Sequence, residues 1–435
     1  MSFDQLGLSE PVLRALAAKS YATPTPIQRQ AIPPLRAGRD LLGIAQTGTG
    51  KTAAFVLPSI DRLVAANKRP APFTCRMLVL APTRELASQI AESAKAYGKF
   101  VKLSVGTVFG GTSIAANRRT VERGIDILVA TPGRMLDLVD QRLLSLKDVE
   151  IFVLDEADQM LDLGFIHALR RTISLLPKQR QTLFFSATMP AAIKELADKL
   201  LTQPEQVVVT PVASATERVE QHITFVNQPE KQALLTLMLQ QPEVERALVF
   251  SRTKHGADKV VKLLGANGVA ANAIHGNKSQ PQRERALAEF KSGKTPVLVA
   301  TDIAARGIDV SGVSHVFNFD LPEVPEQYVH RIGRTGRADA TGVAYAFCSE
   351  DERGLLRQIE KLTRKKVPVQ PLPERFLERA SQLVSRAPAS PQSEQPQRRP
   401  HQPRPPAKRF SARPAGAGAG AGAGAQRSGR RRRAR

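Results

Sequence analysis

The chain has 435 residues, a formal net charge of +23, two cysteines, no tryptophan and 5% aromatic residues. At roughly 100–200 residues per domain that length predicts two or three domains, and Cys75 and Cys348 alone exclude a disulfide-stapled scaffold. No apolar run approaches the roughly 18 residues needed to cross a bilayer and no Cys/His cluster has metal-ligand spacing, so the charge points to a polyanionic partner, nucleic acid before a membrane surface.

The start carries Asp4 and Glu10 where a secretory signal would have basic residues, so the expected compartment is the cytoplasm. The first predicted strand, 41–45, runs into Ala45-Gln46-Thr47-Gly48-Thr49-Gly50-Lys51-Thr52 ahead of a helical stretch. Small residues let backbone N–H groups converge on phosphate oxygens, Lys51 suits the β and γ phosphates, and Thr52 offers a hydroxyl to Mg²⁺. The generic loop has Gly where this chain has Ala45, but Gly48 and Gly50 keep it open. Further strands are predicted at 77–81, 127–130 and 151–154, the last followed by Asp155-Glu156-Ala157-Asp158. A carboxylate at the end of a buried strand suits a Mg²⁺ ligand, and the adjacent Glu is placed to orient or deprotonate water. The strand at 182–185 completes a first set.

A second set is predicted at 247–250, 271–274, 296–300, 316–319 and 343–347. Mostly apolar runs without polar alternation fit strands covered on both faces, so each set reads as a parallel sheet flanked by helices. The expected fold is α/β: two tandem domains at 1–208 and 220–370, a linker at 209–219 within a Pro- and Ser/Thr/Ala-rich region around 202–220, and a disordered basic tail at 371–435. From Arg386 onward there are thirteen Lys or Arg and one Glu, so +12 of the +23 lies in the last eighth of the chain and +11 before it. This composition cannot offset its ordering entropy, and the tail is expected to tether the polyanionic partner electrostatically.

Together the phosphate loop and Asp155-Glu156-Ala157-Asp158 resemble those of the DEAD-box ATP-dependent RNA helicases, over about residues 3 to 365. The resemblance implies two RecA-like domains, with ATP and Mg²⁺ as cofactors. It assigns ATP contacts to Phe3, Tyr21, Gln28, Gln46, Thr47, Gly48, Thr49, Gly50, Lys51 and Thr52. Phe3 would pack on the base and Gln28 would read the adenine edge. The family usually has Gly at the position of Ser20. Thr52 and Asp155 would hold the metal, and Lys51, Asp155, Glu156, Arg334 and Arg337 would carry catalysis. Arg334 and Arg337 belong to His330-Arg331-Ile332-Gly333-Arg334-Thr335-Gly336-Arg337, which is similar to the arginine-finger motif. Gly307 and Asp309 would line the nucleotide from the second domain, and Asp158, Ser186, Thr188 and His330 would couple ATP state to strand separation.

RNA contacts are implied for Pro82, Thr83, Arg84, Gly110, Gly111, Thr131 and Arg134 in the first domain. The second would add Arg252, His275, Gly276, Thr301 and the Gln280–Arg283 pair. With few aromatics to stack bases, binding is expected to be largely indifferent to sequence and to reach RNA through phosphate and ribose. The Met1-Ser2-Phe3-Asp4-Gln5-Leu6-Gly7-Leu8 start and the basic tail resemble the bacterial RhlE-type subgroup. That implies ribosomal particles or RNA-decay machinery as partners, no membrane, and a monomer. Two other readings stay open: an ATPase of another class, such as a DNA translocase, and an RNA annealer working through its basic tail.

Overall fold

In the computed structural model, the described residues are 2–46, 48–209, 219–305, 312–336 and 341–383. Residues Met1–Pro388 form one compact unit, built as two lobes around two parallel sheets. The first lobe has β1 (Leu41–Ile44), β2 (Cys75–Leu80), β3 (Val105–Val108), β4 (Ile125–Ala130), β5 (Ile151–Leu154), β6 (Gln181–Ser186) and β7 (Glu205–Val208), in the order β3-β4-β2-β5-β6-β1-β7. The second has β8 (Val219–Phe225), β9 (Ala247–Phe250), β10 (Ala271–Ile274), β11 (Val297–Ala300), β12 (His315–Asn318) and β13 (Gly342–Cys348), ordered β10-β11-β9-β12-β13-β8.

Each sheet separates two cores. Met77 and Val79 of β2 point into one apolar cluster and Cys75, Leu78 and Leu80 into the other. In β9, Leu248 and Phe250 face one side while Ala247 and Val249 face the opposite side. Successive strand side chains alternate in direction, so a strand buried on both faces is apolar throughout. The parallel arrangement also gathers every strand's C-terminal end on one edge, where loops can converge on a ligand.

The predicted strands stand where their apolar runs place them, within a residue or two, including β10 at one edge of the second sheet. The edge strands β3, β7 and β8 are additional. Val-Gly-Thr-Val in β3 is half-exposed, and β7 and β8 lie at the two ends of the region read as linker. Covered on fewer sides, an edge strand has no need of a continuous apolar run. The tail boundary also shifts. A short helix, Phe376–Ser381, lies inside the stretch expected to be disordered and buries Phe376 in the second lobe's core. Val369 bridges Ile223 on the edge of the second sheet. Residues 210–218, which hold most of the expected linker, and the tail from 384 onward lie outside the described residues. Among the described residues no helix is long and apolar enough to cross a membrane.

Candidate functional site

The phosphate loop leaves β1 and enters the helix Lys51–Ala65, whose first-turn N–H groups point back toward the loop. Gly50 caps this helix at φ +95, and a Cβ built there would lie 2.5 Å from Gln28 Nε2, so the position requires glycine. Gln28 is pinned on both sides: its Oε1 accepts from Thr25 N (2.9 Å) and its Nε2 donates to the Gly50 carbonyl (3.1 Å). The segment around Thr25 is thereby fastened directly to the loop.

A cavity of about 230 Å³ lies against this junction, lined by Tyr21, Gln28, Gly48, Gly50, Lys51, Thr52, Asp155 and Glu156. The helix Arg84–Tyr97 contributes Leu86, Gln89, Ser93 and Tyr97 to the same wall. These four were not foreseen, although their spacing of three and four residues marks a single helix face. Tyr97 is buried against Tyr21, with ring centroids 6.2 Å apart. Phe3, expected on the base, is instead buried in the first lobe's core and is not part of this lining. Ser20, where glycine is usual, takes a left-handed φ of +57 that glycine would adopt without strain. Thr47 lies outside the described residues.

Lys51 Nζ lies 3.7 Å from Asp155 Oδ1, and the two side chains are only 5% and 2% exposed. Neither atom has a hydrogen-bond partner among the described residues. Leaving a buried cation and carboxylate this poorly satisfied is costly, and the arrangement fits a site that phosphate and a divalent cation complete. Among the described residues no three His, Cys, Asp or Glu side chains cluster as a metal cage. Asp155 and Thr52 line one cavity, a donor set of the kind that suits Mg²⁺, which is commonly held by one or two carboxylates together with substrate phosphates and water.

Burial pushes the Asp155 carboxyl up to about 6, opposed by Lys51 and assisted by Glu156. Because the folded value exceeds the unfolded one, stability from this group is fully present below about 4 and is lost as pH rises through about 6. In the absence of nucleotide and metal, the wild type should therefore gain stability relative to Asp155→Asn as pH falls from 7 to 4. Thermal melts of both proteins across that range check this, and parallel curves would refute it.

Glu156 follows at φ +56, ψ +53, a left-handed conformation uncommon for a non-glycine residue, and is 2% exposed. Strain of this kind, of order 1–3 kcal/mol, persists only where the surroundings impose it. Asp158 Oδ2 accepts from both Thr188 N and Thr188 Oγ1 at 2.9 Å, and Asp158 N donates to Ser186 Oγ at 3.3 Å. Three of the four residues expected to couple ATP state to unwinding thus form one hydrogen-bonded group at the ends of β5 and β6, while the fourth, His330, lies in the second lobe.

Across from the first lobe, the helix Pro325–Ile332 carries Arg331 and leads into Arg334. Arg331 is 2% exposed and is held by a bidentate pair with Asp302 (2.6 and 2.7 Å), and its Nη1 also donates to Asn318 Oδ1 and the Asp320 carbonyl. It anchors the turn from which Arg334 projects. Arg334 lines a narrow crevice with His330 and Gly333 of its own lobe and Gln46, Gln159 and Ala187 of the other. It does not line the phosphate-loop cavity itself. Gly307, Asp309 and Arg337 lie outside the described residues.

The expected RNA residues collect at strand C-terminal ends. Pro82, Thr83 and Arg84 follow β2, Gly110 and Gly111 follow β3, and Thr131 and Arg134 follow β4. His275 and Gly276 follow β10, and Thr301 follows β11. The Arg84 guanidinium packs so closely on Gly111 that a Cβ there would collide with it. Burial, Arg283 and Arg134 weaken Arg84's hold on its proton while Glu85 opposes them, so several cations crowd a place suited to an anion. Arg283 also reaches across the lobes to Glu85 at 2.8 Å. Arg252 is engaged within its own lobe, donating to Glu352 Oε1 (2.7 Å) and the Leu321 carbonyl (3.3 Å). His275 is 1% exposed, 3.0 Å from Asp258.

Residues 25–196 match the DEAD/DEAH box helicase family and residues 229–339 match the helicase conserved C-terminal domain. The DEAD-box ATP-dependent RNA helicase CshA of Bacillus subtilis (strain 168) is 42% identical over 367 residues, covering 84% of this chain and 73% of that protein. CshA of Geobacillus kaustophilus (strain HTA426) is 42% identical over 366 residues, covering 84% and 77%. Among solved structures, S. cerevisiae Dbp5 bound to RNA and ADP BeF3 aligns with a TM-score of 0.76 at 32% identity, covering 87% of this chain and 98% of that one. Mss116p bound to ssRNA and AMP-PNP aligns with a TM-score of 0.79 at 26% identity, covering 90% and 83%.

Proposed function

This chain belongs to the DEAD-box ATP-dependent RNA helicase family, and from that premise we propose that it holds RNA by its backbone and separates short duplexes locally as its two lobes close on ATP. It is an ATP-hydrolysing enzyme and its partner is RNA. The observation that carries the closure reading is the division of charge. Lys51 and Asp155 stand buried and incompletely satisfied in the first lobe, while Arg334 faces that lobe from the second. Lys51 would bind the outer phosphates, Thr52 and Asp155 would hold Mg²⁺, and Glu156 would orient the attacking water. When bound, the metal neutralises charge on the phosphate oxygens. Arg334, with Arg337, then stabilises charge on the transferring phosphoryl group. RNA contacts are divided between the lobes as well, so ATP and RNA strengthen each other's binding by linkage.

Thr, Arg, Gly and backbone N–H groups dominate the RNA residues, and these suit phosphates and 2′-hydroxyls rather than base edges. Steady-state ATPase should accordingly rise with RNA of unrelated sequences and much less with DNA of the same sequences. Equal stimulation by DNA would remove the ribose preference.

The basic segment beyond residue 385, with its +12 charge, serves as an RNA tether that raises local substrate concentration. Truncation there should leave RNA-stimulated turnover at saturating RNA intact, weaken RNA affinity and flatten its dependence on salt, since each phosphate contact releases a counterion. An unchanged salt slope in a binding titration would rule the tether out. In the cell, the substrates in this reading are ribosomal particles or RNA undergoing decay, and crosslinking and sequencing of bound RNA distinguishes the two.

A further inference from the structure

The second lobe contains a buried charge cluster that neither phosphate chemistry nor direct RNA contact explains. Lys231 is 0% exposed, Glu352 2% and Asp320 8%. Lys231 Nζ donates to Glu352 Oε2 and lies 3.8 Å from Asp320 Oδ1, while Glu352 Oε1 accepts from Arg252 Nη2 (2.7 Å) and from Leu321 N (3.1 Å). Two cations and two anions balance. Arg252 is exposed at 37%, but Lys231, Glu352 and Asp320 are buried, and such buried charges are costly to desolvate and often no more stable than apolar residues in their place. Their retention invites a positional role.

Asp320 supplies that role. It lies just beyond β12, and Arg252 lies just beyond the neighbouring parallel strand β9, so strand pairing brings the two loops side by side. The Asp320 carboxylate accepts from Arg252 N at 2.9 Å and from Ser251 Oγ at 3.3 Å, fixing the turn that precedes the helix Lys254–Ala266. Its backbone carbonyl accepts from Arg331 Nη1 at 2.6 Å, fixing the helix that presents Arg334. One residue therefore touches the RNA-side turn with its side chain and the nucleotide-side helix with its main chain. A cavity of about 530 Å³ opens beside it, bordered by Ser251, Arg252, Thr253 and Lys259.

We propose that Asp320, braced by Lys231 and Glu352, is a positioning residue that holds the RNA-side turn and the arginine-finger helix in one register, so that ATP binding is felt as RNA affinity within the second lobe. This rests on the closure reading above and deepens it. Arg252 then serves chiefly as a strut to Glu352, with the turn's backbone meeting RNA.

The test is the ratio of RNA affinities with and without a non-hydrolysable ATP analogue, measured on the full chain. Asp320→Asn, which keeps shape and an acceptor but removes charge, should lower this ratio at least about fivefold, a typical allosteric coupling. RNA affinity without nucleotide should stay within about twofold, since no direct phosphate contact is removed. A purely structural role would lower the melting temperature and leave the ratio unchanged. Should Asp320→Asn melt below the assay temperature, Glu352→Gln carries the same comparison. A wild-type ratio retained in a folded variant overturns the inference alone, whereas a wild-type ratio of one removes the closure reading and the inference together.

Discussion

Lys51→Ala should reduce RNA-stimulated ATP turnover by at least about a hundredfold, the scale on which loss of one preorganised donor at a developing charge is felt. The expectation rests on burial. Lys51 is 5% exposed with Asp155 as its ion-pair partner at 3.7 Å, so its ammonium is poised for phosphate in a site with little competing water. Removing it also leaves the Asp155 carboxyl, already pushed up to about 6, without the cation that holds it down. RNA binding in the absence of nucleotide should be unaffected, because the RNA residues lie on other loops. Steady-state ATPase and strand-separation assays on the same preparation check this. Strand separation that persisted at the wild-type rate without turnover would favour an annealer over a helicase.

Arg334→Ala should cost more, about 10³–10⁵ in turnover, the range found for arginines that stabilise phosphoryl transfer. Arg334 is 6% exposed and its Nε donates to the His330 carbonyl at 3.3 Å, which directs the guanidinium toward the crevice shared with Gln46 and Ala187. The substitution leaves the phosphate-loop cavity untouched, so ATP affinity in the absence of RNA should change far less than turnover. Arg334→Lys should not rescue it, since an ammonium lacks the planar fork. A fall in ATP affinity that accounts for the whole loss of rate would show Arg334 to be a binding residue and not a transition-state group.

The chemistry was legible in the sequence because it is local. The loop 45–52 and the run 155–158 each bring their functional groups within a few residues, at the end of a strand whose apolar run is itself visible. The Asp158, Ser186 and Thr188 group was implied by the family resemblance alone; that β5 and β6 are neighbours whose ends meet is a fact of the tertiary structure. Three of the four edge strands, β3, β7 and β8, were hidden because partial exposure lets polar residues and glycine break the apolar run, whereas the edge strand β10 kept enough of it to be seen. Phe376 was masked by the polar and proline-rich residues around it, although one buried aromatic suffices to dock a short helix.

What remained out of reach depends on distant segments converging. Glu85 and Arg283 are 198 positions apart and meet across the lobes, and Arg331 reads as one more motif cation until Asp302 is seen to hold it. Tyr97 enters the nucleotide wall because its helix, anchored at the RNA side by Thr83 and Arg84, runs back past the phosphate loop. The amino-acid sequence by itself determined the family, the two parallel sheets, the ATP chemistry and the placement of half the net charge beyond residue 385, since each follows from local spacing or composition. Only the tertiary structure decided which arginines are struts and which border the crevice between the lobes, that Phe3 belongs to the core, and that Lys231, Glu352 and Asp320 share one buried cluster. Burial and charge pairing are properties of neighbours in space, and the chain order does not contain them.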